Sequence, residues 1–218
     1  FVPLMISAGF VVLSALWFYL YSSKHVTRAS AAMHIVERVT NRELQTVTLE
    51  NELRDILLER DNIIEDKFDQ IIRECHILDI SGSCGSEDIF EQAAEILAEQ
   101  TAMSKASLLE KFIQREKEGS TVIQPGLAIP HIIIDGEHQF SIVLVRSVDG
   151  IKFPEKTEPV HTMFILAGTR DQRNFHLRAL MAIAQIVQEK HFESRWLSAR
   201  GPENMRNLIL LSKRKREH

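Results

Sequence analysis

The chain opens with 23 residues, Phe1 to Ser23, that carry no charged side chain. An α-helix rises about 1.5 Å per residue, so a helix of this length crosses a hydrocarbon layer of about 30 Å. The run lacks the basic start of a signal peptide and ends in Trp17, Tyr19 and Tyr21, which are typical of a membrane interface. We therefore predict a transmembrane helix over residues 1–23; a helix buried in a protein core is the alternative.

Basic residues dominate the segment that follows. Its charged side chains are Lys24, Arg28, Arg38 and Arg42 against Glu37 and Glu43. By the positive-inside rule, this bias predicts an inner-membrane protein with residues 24–218 on the cytoplasmic side. The end of the uncharged run, Trp17 to Tyr21, is similar to the last helices of amino-acid permeases. We therefore expect the chain to contact the lipid bilayer and a membrane-embedded transporter part of the same protein.

A connector is predicted between the membrane and the rest of the chain, within residues 24–75. Its apolar residues recur every three or four positions among charged ones: Leu49, Leu53, Leu57, Ile64, Phe68 and Ile71. This spacing predicts one amphipathic helix over residues 44–74. Its apolar face would pack on the following domain or on a second copy of the chain, giving a homo-oligomer; a plain spacer is the alternative.

The remaining chain alternates between strand and helix patterns, which predicts an α/β domain over residues 76–211. Strands are expected at 77–80, 121–124, 140–146 and 160–166. Helices are expected at 88–99, 105–116, 171–188 and 202–211, with Ser86 and Ser104 as N-caps of the first two. The final segment, residues 212–218, contains four consecutive basic residues. We expect it to be a solvated tail, with phosphate or anionic lipid as alternative contacts.

Composition and spacing exclude several functions. The formal net charge of −4 is not that of a nucleic-acid-binding chain. Cys75 and Cys84 lack the spacing of redox or zinc sites, and we predict neither a disulfide nor a metal. The sequence has no HExxH motif and no glycine-rich phosphate loop, so zinc-hydrolase and nucleotide-binding activities are not expected.

The most distinctive local segment ends on His131. Pro130 fixes its own φ and drives Ile129 into an extended conformation, so we expect a stiffly mounted histidine outside regular structure. Gly126 gives the freedom to turn just before it. The alternative is an ordinary surface or core histidine, since the chain has nine.

These residues resemble a known site. Arg115-Glu116-Lys117, Ser120-Thr121 and Gly126 to His131 look like the phosphohistidine loop of the fructose/mannitol-type enzyme IIA domains of the bacterial phosphoenolpyruvate-dependent sugar phosphotransferase system. The resemblance continues beyond this loop and covers residues 76–211. It includes a turn at Gly150 to Phe153, a strand at Val160 to Ala167, and the segment Asn174-Phe175-His176-Leu177. It implies a mixed sheet flanked by helices.

The resemblance also implies roles for single residues. His131 would be the phosphoryl acceptor and His176 a second catalytic histidine, although the helical pattern alone makes His176 a boundary residue. Arg115, Ser120 and Thr121 would stabilise the phosphoryl group. No cofactor is required. The phosphate donor would be an HPr-like histidine phosphocarrier.

Two features depart from the usual family pattern. Isoleucines fill positions 132–134, where a small residue usually follows the histidine, and Gln124 stands where glycine or alanine is usual. No downstream IIB segment is visible. We therefore expect a membrane-tethered phosphohistidine domain that regulates a fused transporter. The alternatives are a phosphocarrier in a sugar relay and a non-phosphorylated interaction or ligand-sensing module.

Overall fold

The computed structural model describes residues 12–13, 16, 47–154 and 156–216, without the side chains of 47–50. Apart from Val12, Leu13 and Leu16, the predicted transmembrane and juxtamembrane segments lie outside these ranges. Among the described residues, no helix has both the length and the apolar character needed to cross a membrane. The chain divides into two compact units, residues 1–61 and 62–218.

The prediction of one helix over residues 44–74 is wrong. Helix α1 (Val47–Arg60) ends in the first unit, and helix α2 (Lys67–Glu74) begins the second. Asn62 has a φ of 51°, a left-handed conformation that a helix cannot continue through. Asp66 then starts α2 with a capping box, because its carboxylate accepts from the backbone N–H of Asp69 and its own N–H donates to the Asp69 carboxylate. The apolar spacing continues across both helices and hides this break.

A mixed sheet forms the centre of the second unit. Its strands are β1 (His76–Ile80), β2 (Cys84–Gly85), β3 (Val122–Gln124), β4 (Gly126–Ala128), β5 (His131–Ile134), β6 (Phe140–Lys152) and β7 (Val160–Thr169). Five lie in the order β1-β6-β7-β4-β3, while β2 also pairs with β6 and β5 with β7. The β6–β7 and β3–β4 pairs are antiparallel and the others parallel. Strands β4 and β5 therefore follow one another along the same edge of β7.

Helices cover both faces of this sheet. They are α3 (Ser86–Gln100), α4 (Lys105–Glu118), α5 (Arg173–Val187), α6 (Phe192–Ser198) and α7 (Pro202–Leu210), with a 3-10 turn (Arg170–Gln172) before α5. Successive residues of a strand point to opposite faces. Ile142 and Leu144 of β6 accordingly pack with α2, α5, α6 and α7, whereas Val143 and Val145 pack with α3 and α4. The domain is a three-layer α/β structure, which confirms the expected mixed sheet flanked by helices.

Most predicted elements are present, and the differences have local causes. Strands β6 and β7 extend beyond the expected ranges because they pair with each other over most of their length. Ser104 caps α4 as expected, since its hydroxyl accepts from the N–H of Ser107. The cap of α3 is Gly85 rather than Ser86, with Asp88 accepting the Gly85 N–H. The short strands β2, β4 and β5 and helix α6 were not predicted.

The prediction of a solvated tail over residues 212–218 is wrong for Arg214 and Arg216. Arg214 contacts Asp66 at 2.6 Å and Asp69 at 2.8 Å, and the Nε of Arg216 lies 2.7 Å from Asp69. The Arg214 side chain is 2% exposed and that of Asp69 is fully buried. We call these four residues the C-terminal clasp. Sequence reasoning missed it because 148 residues separate Asp66 from Arg214.

Candidate functional site

Backbone hydrogen bonds fix the chain immediately before His131. The N–H of Ile129 donates to the carbonyl of Thr121 at 2.9 Å, and the carbonyl of Pro130 accepts from the N–H of Leu166 at the same distance. His131 then begins β5 and lies in parallel register with Leu166. The expectation that His131 lies outside regular structure is therefore wrong. Pro130 has no N–H to satisfy, so the chain passes from β4 to β5 without losing a hydrogen bond.

Two contacts define the proton position on the His131 ring. Its Nδ1 lies 2.9 Å from the carbonyl oxygen of Ile129, and its Nε2 lies 3.4 Å from Nη2 of Arg115. A carbonyl only accepts and a guanidinium only donates, so both contacts select the neutral tautomer with the proton on Nδ1. Arg115 is itself held by Gly119, whose carbonyl accepts from Nη1 at 2.9 Å. The ring therefore presents the Nε2 lone pair beside a fixed positive charge.

The two predicted hydroxyl groups have other partners. The N–H and hydroxyl of Thr121 both donate to Oε2 of Glu116, at 2.9 and 2.5 Å, and Thr121 is buried. The hydroxyl of Ser120 accepts from the N–H of Val122 at 3.3 Å. Among the contacts of the described residues, neither hydroxyl reaches His131. Their role at a phosphoryl group stays a prediction, while Thr121 ties the end of α4 to the backbone that holds His131.

The structure places His176 against His131, as the resemblance implies. The ring centroids are 5.5 Å apart and the ring planes meet at 75°. Phe140 lies edge to face with His176 at the same centroid distance, and His176 is only 6% exposed. Burial, followed by the electrostatic effect of the neighbouring His131, lowers the pKa of His176 to about 4. His176 is therefore a neutral imidazole near pH 7, and its Nε2 has no hydrogen-bond partner within the described ranges.

An open groove of about 580 Å³ lies alongside both histidines, and we call it the histidine groove. It is lined by His131, Ile133, Arg170, Arg173, His176, Leu177 and Leu180. A second groove shares His131 and Ile133 and contains Arg115. Arg115 therefore lines one groove and Arg170 and Arg173 line the other, and His131 lies in the lining of both. Ile133 lines both grooves and is 41% exposed, whereas Ile132 and Ile134 are core residues.

Sequence reasoning did not identify Arg170 and Arg173. The available signal was their spacing, because positions 170, 173 and 176 lie three residues apart and share one face of a helical segment. The 3-10 turn and α5 together make that segment.

The model of the family "Phosphoenolpyruvate-dependent sugar phosphotransferase system, EIIA 2" matches residues 74–211, well over half of the chain. The chain belongs to this family. The matched range contains Arg115, His131 and His176, whereas all four residues of the C-terminal clasp lie outside it.

Curated relatives of the EIIA domain include regulatory and sugar-specific proteins. The chain is 31% identical over 121 residues to the nitrogen regulatory protein of Klebsiella oxytoca, a segment that covers 55% of this chain and 75% of that protein. It is 25% identical over 125 residues to the fructose-specific EIIABC component of Bacillus subtilis (strain 168), covering 56% of this chain. That segment spans only 20% of the Bacillus protein.

Solved structures share the architecture. The crystal structure of the nitrogen regulatory protein IIA-Ntr from Neisseria meningitidis is similar with a TM-score of 0.59 and 25% identity. The similarity covers 66% of this chain and 99% of that one. The mannitol IIA of Escherichia coli gives a TM-score of 0.52 at 14% identity, over 62% of this chain and 95% of that one, which supports the fold alone.

Proposed function

We propose that this EIIA domain accepts a phosphoryl group on Nε2 of His131 from an HPr-like histidine phosphocarrier, and that phosphorylation regulates a transporter part of the same protein. Residues 1–23 would tether the domain to the inner membrane, with residues 24–218 on the cytoplasmic side. The observation that carries the proposal is the pair of contacts at the His131 ring. The carbonyl of Ile129 lies 2.9 Å from Nδ1 and Nη2 of Arg115 lies 3.4 Å from Nε2, which makes Nε2 the acceptor nitrogen.

The transfer needs no net movement of protons. The Nε2 lone pair of His131 attacks phosphorus in line with the phosphorus–nitrogen bond of the donor phosphohistidine. That bond breaks as the new one forms, and the donor imidazole leaves with the electron pair. The Nδ1 proton of His131 stays on the ring and continues to donate to the carbonyl of Ile129. This carbonyl stabilises the positive charge that the phosphorylated ring acquires.

Arg115 and His176 would act on the phosphoryl oxygens. The Arg115 guanidinium lies beside Nε2 and would neutralise charge on the group as it transfers. His176 remains neutral near pH 7 because of its low pKa, and its unpartnered Nε2 is available as a hydrogen-bond donor.

The acceptor assignment is tested by phosphorylating the full chain, purified in detergent, with labelled phosphoenolpyruvate and the general carrier proteins. Wild type should take up one acid-labile, base-stable phosphoryl group. His131→Ala should take up none, whereas the control His138→Ala, at a side chain that is 80% exposed, should label normally. Unchanged labelling of His131→Ala would remove the acceptor assignment, and no labelling of wild type would favour an interaction or ligand-sensing module.

Regulation is favoured by the similarity to nitrogen regulatory proteins and by the uncharged opening run. A phosphorylated and an unphosphorylated domain that contact the transporter differently would bias it by a coupling free energy of about 1–3 kcal/mol. The test is substrate uptake by the complete parent protein, comparing wild type, His131→Ala and a truncation after Thr40. Identical uptake by all three, while wild type is phosphorylated, would contradict regulation.

A phosphocarrier role in sugar uptake is the second candidate. It is supported by the similarity to a fructose-specific EIIABC component. The discriminating experiment is a chase of the phosphorylated chain with a sugar-specific IIB protein. Rapid loss of label to IIB would favour the relay over the regulatory role.

A further inference from the structure

Arg170 and Arg173 occupy positions that fold stability does not explain. Arg173 is the first residue of α5, and Arg170 begins the 3-10 turn before it. The N-terminus of a helix carries partial positive charge, so cations there are unfavourable by about 0.3–1 kcal/mol. The first turn of α5 contains no acidic residue, and no side chain caps its N-terminus. Both arginines are exposed, and within the described part of the chain neither forms an ion pair.

The surroundings of these arginines favour an anion. The histidine groove has no carboxylate in its lining, and Asp171, next to Arg170, already accepts from Thr169 and from the N–H of His138. His176 contributes a buried Nε2 that has no partner among the described residues. Two exposed arginines and His176, whose buried Nε2 is unsatisfied, therefore line one groove. Guanidinium groups bind phosphate oxygens in a bidentate manner.

We infer that Arg170 and Arg173 form an anion clamp that holds the phosphoryl group of phosphorylated His131 from the histidine groove, while Arg115 contacts it from the second groove. The inference rests on the proposed function, since it names two further positioning residues at the same site. His131 lines both grooves, so a phosphoryl group on Nε2 would have Arg115 in one and Arg170 and Arg173 in the other. The groove of Arg115 also contains Glu110, Glu118 and Asp135, whereas the histidine groove contains no carboxylate. The clamp would speed phosphorylation and would favour the dianionic form of the bound phosphoryl group.

The test uses two phosphoryl donors of different size on the full chain. Phosphoramidate has no protein surface, whereas the HPr-like carrier has one. Arg173→Ala and Arg170→Ala should lower the labelling rate about tenfold with both donors, and Arg173→Lys should retain part of it. Lys152→Ala is the matched control, because it removes one exposed positive charge at the opposite end of β6 from Phe140, which contacts His176. Its rate should equal that of wild type.

A spectroscopic measurement separates positioning from a structural effect. The pKa of the phosphoryl group on His131, followed by ³¹P NMR titration, should rise by about one unit in Arg173→Ala, because a nearby cation favours the dianion. A rate loss seen only with the carrier protein, together with an unchanged phosphoryl pKa, would make these arginines docking residues and overturn the clamp while the proposed function stands. Normal rates with both donors would also overturn it.

Wild type that takes no label from either donor would contradict the proposed function itself. The clamp is then tested by an NMR titration with inorganic phosphate. Phosphate should shift the ring resonances of His131 and His176 at several-fold lower concentration in wild type than in Arg173→Ala. Equal titrations in the two proteins would overturn the clamp.

Discussion

The arginines of the C-terminal clasp and those of the histidine groove have opposite surroundings. In the clasp, Arg214 and Arg216 are almost fully buried and contact aspartates at 2.6–2.8 Å. In the groove, Arg170 and Arg173 are exposed and have no carboxylate partner among the described residues. A buried charge must be paired, because its desolvation costs several kcal/mol. An exposed, unpaired charge on a helix N-terminus does not stabilise the fold.

This contrast separates stability from function within one domain. The clasp joins helix α2 to the end of the chain, and both parts lie outside the family match. The groove lies inside the match and next to the proposed acceptor histidine. We therefore expect substitutions in the clasp to lower the free energy of unfolding, and substitutions in the groove to lower the phosphorylation rate.

The largest effect is expected from Asp69→Ala. This change leaves Arg214 and Arg216 buried without their shared carboxylate and also removes one bond of the α2 cap. Breaking a buried ion pair from one side costs about 3–5 kcal/mol, measurable by urea unfolding. Labelling per folded molecule should not change. Glu99→Ala, an exposed control of equal charge, should cost less than about 0.5 kcal/mol. A small cost for Asp69→Ala would contradict the assigned role of the clasp.

A smaller stability effect is expected at His176, and it depends on pH. The folded pKa of about 4 lies below the ordinary value of 6.5, so between these values the unfolded chain binds a proton that the folded chain excludes. This difference in proton binding does not affect the stability of the fold above pH 6.5, and it lowers that stability increasingly as the pH falls towards 4. Between about pH 7.5 and about pH 5, the free energy of unfolding of wild type should fall by about 2 kcal/mol more than that of His176→Gln. Parallel pH profiles of the two proteins would rule out a buried neutral His176.

Thr121 tests whether its hydroxyl supports the fold or the phosphoryl group. Thr121→Val removes the hydroxyl bond to Glu116, and bonds to charged groups contribute about 1.5–3 kcal/mol. We expect a loss in this range in urea unfolding and an unchanged labelling rate per folded molecule. Thr121→Ser, which keeps the hydroxyl, should recover most of the stability. A Thr121→Val variant with a lowered labelling rate and an unchanged free energy of unfolding would instead support a role for Thr121 at the phosphoryl group.

The smallest stability effect is expected at Arg173. Its guanidinium is exposed and unpaired within the described ranges, so Arg173→Ala should change the free energy of unfolding by less than about 0.5 kcal/mol. Its labelling rate should nevertheless fall. A large loss of stability in Arg173→Ala would show that the arginines of the groove stabilise the fold, as those of the C-terminal clasp are expected to do.

Sequence reasoning predicted the fold from features that are local. Runs of apolar residues located β6 and β7, and Ser104 located the start of α4. It missed β4 and β5, because strands of three and four residues gain their hydrogen bonds from β7, which is distant in sequence. The break between α1 and α2 was hidden by an apolar spacing that continues across it.

The same limit applies to the site. The proline before His131 and the resemblance identified His131, His176 and Arg115, and the structure brings these three together. The partner of Thr121 and the groove position of Arg173 depend on side-chain contacts that the motif does not specify. The pairing of the basic tail with α2 depends on contacts between residues about 150 positions apart in the sequence.

The central claim is that Nε2 of His131 is the phosphoryl acceptor, and the direct test is the ring protonation and phosphorylation state by long-range ¹H–¹⁵N NMR correlation. Before phosphorylation, His131 should show the neutral tautomer with the proton on Nδ1, as its contacts with Ile129 and Arg115 require. After phosphorylation, Nε2 should carry the phosphoryl group and Nδ1 should keep its proton. A phosphoryl group on Nδ1, or on any other histidine, would contradict the account.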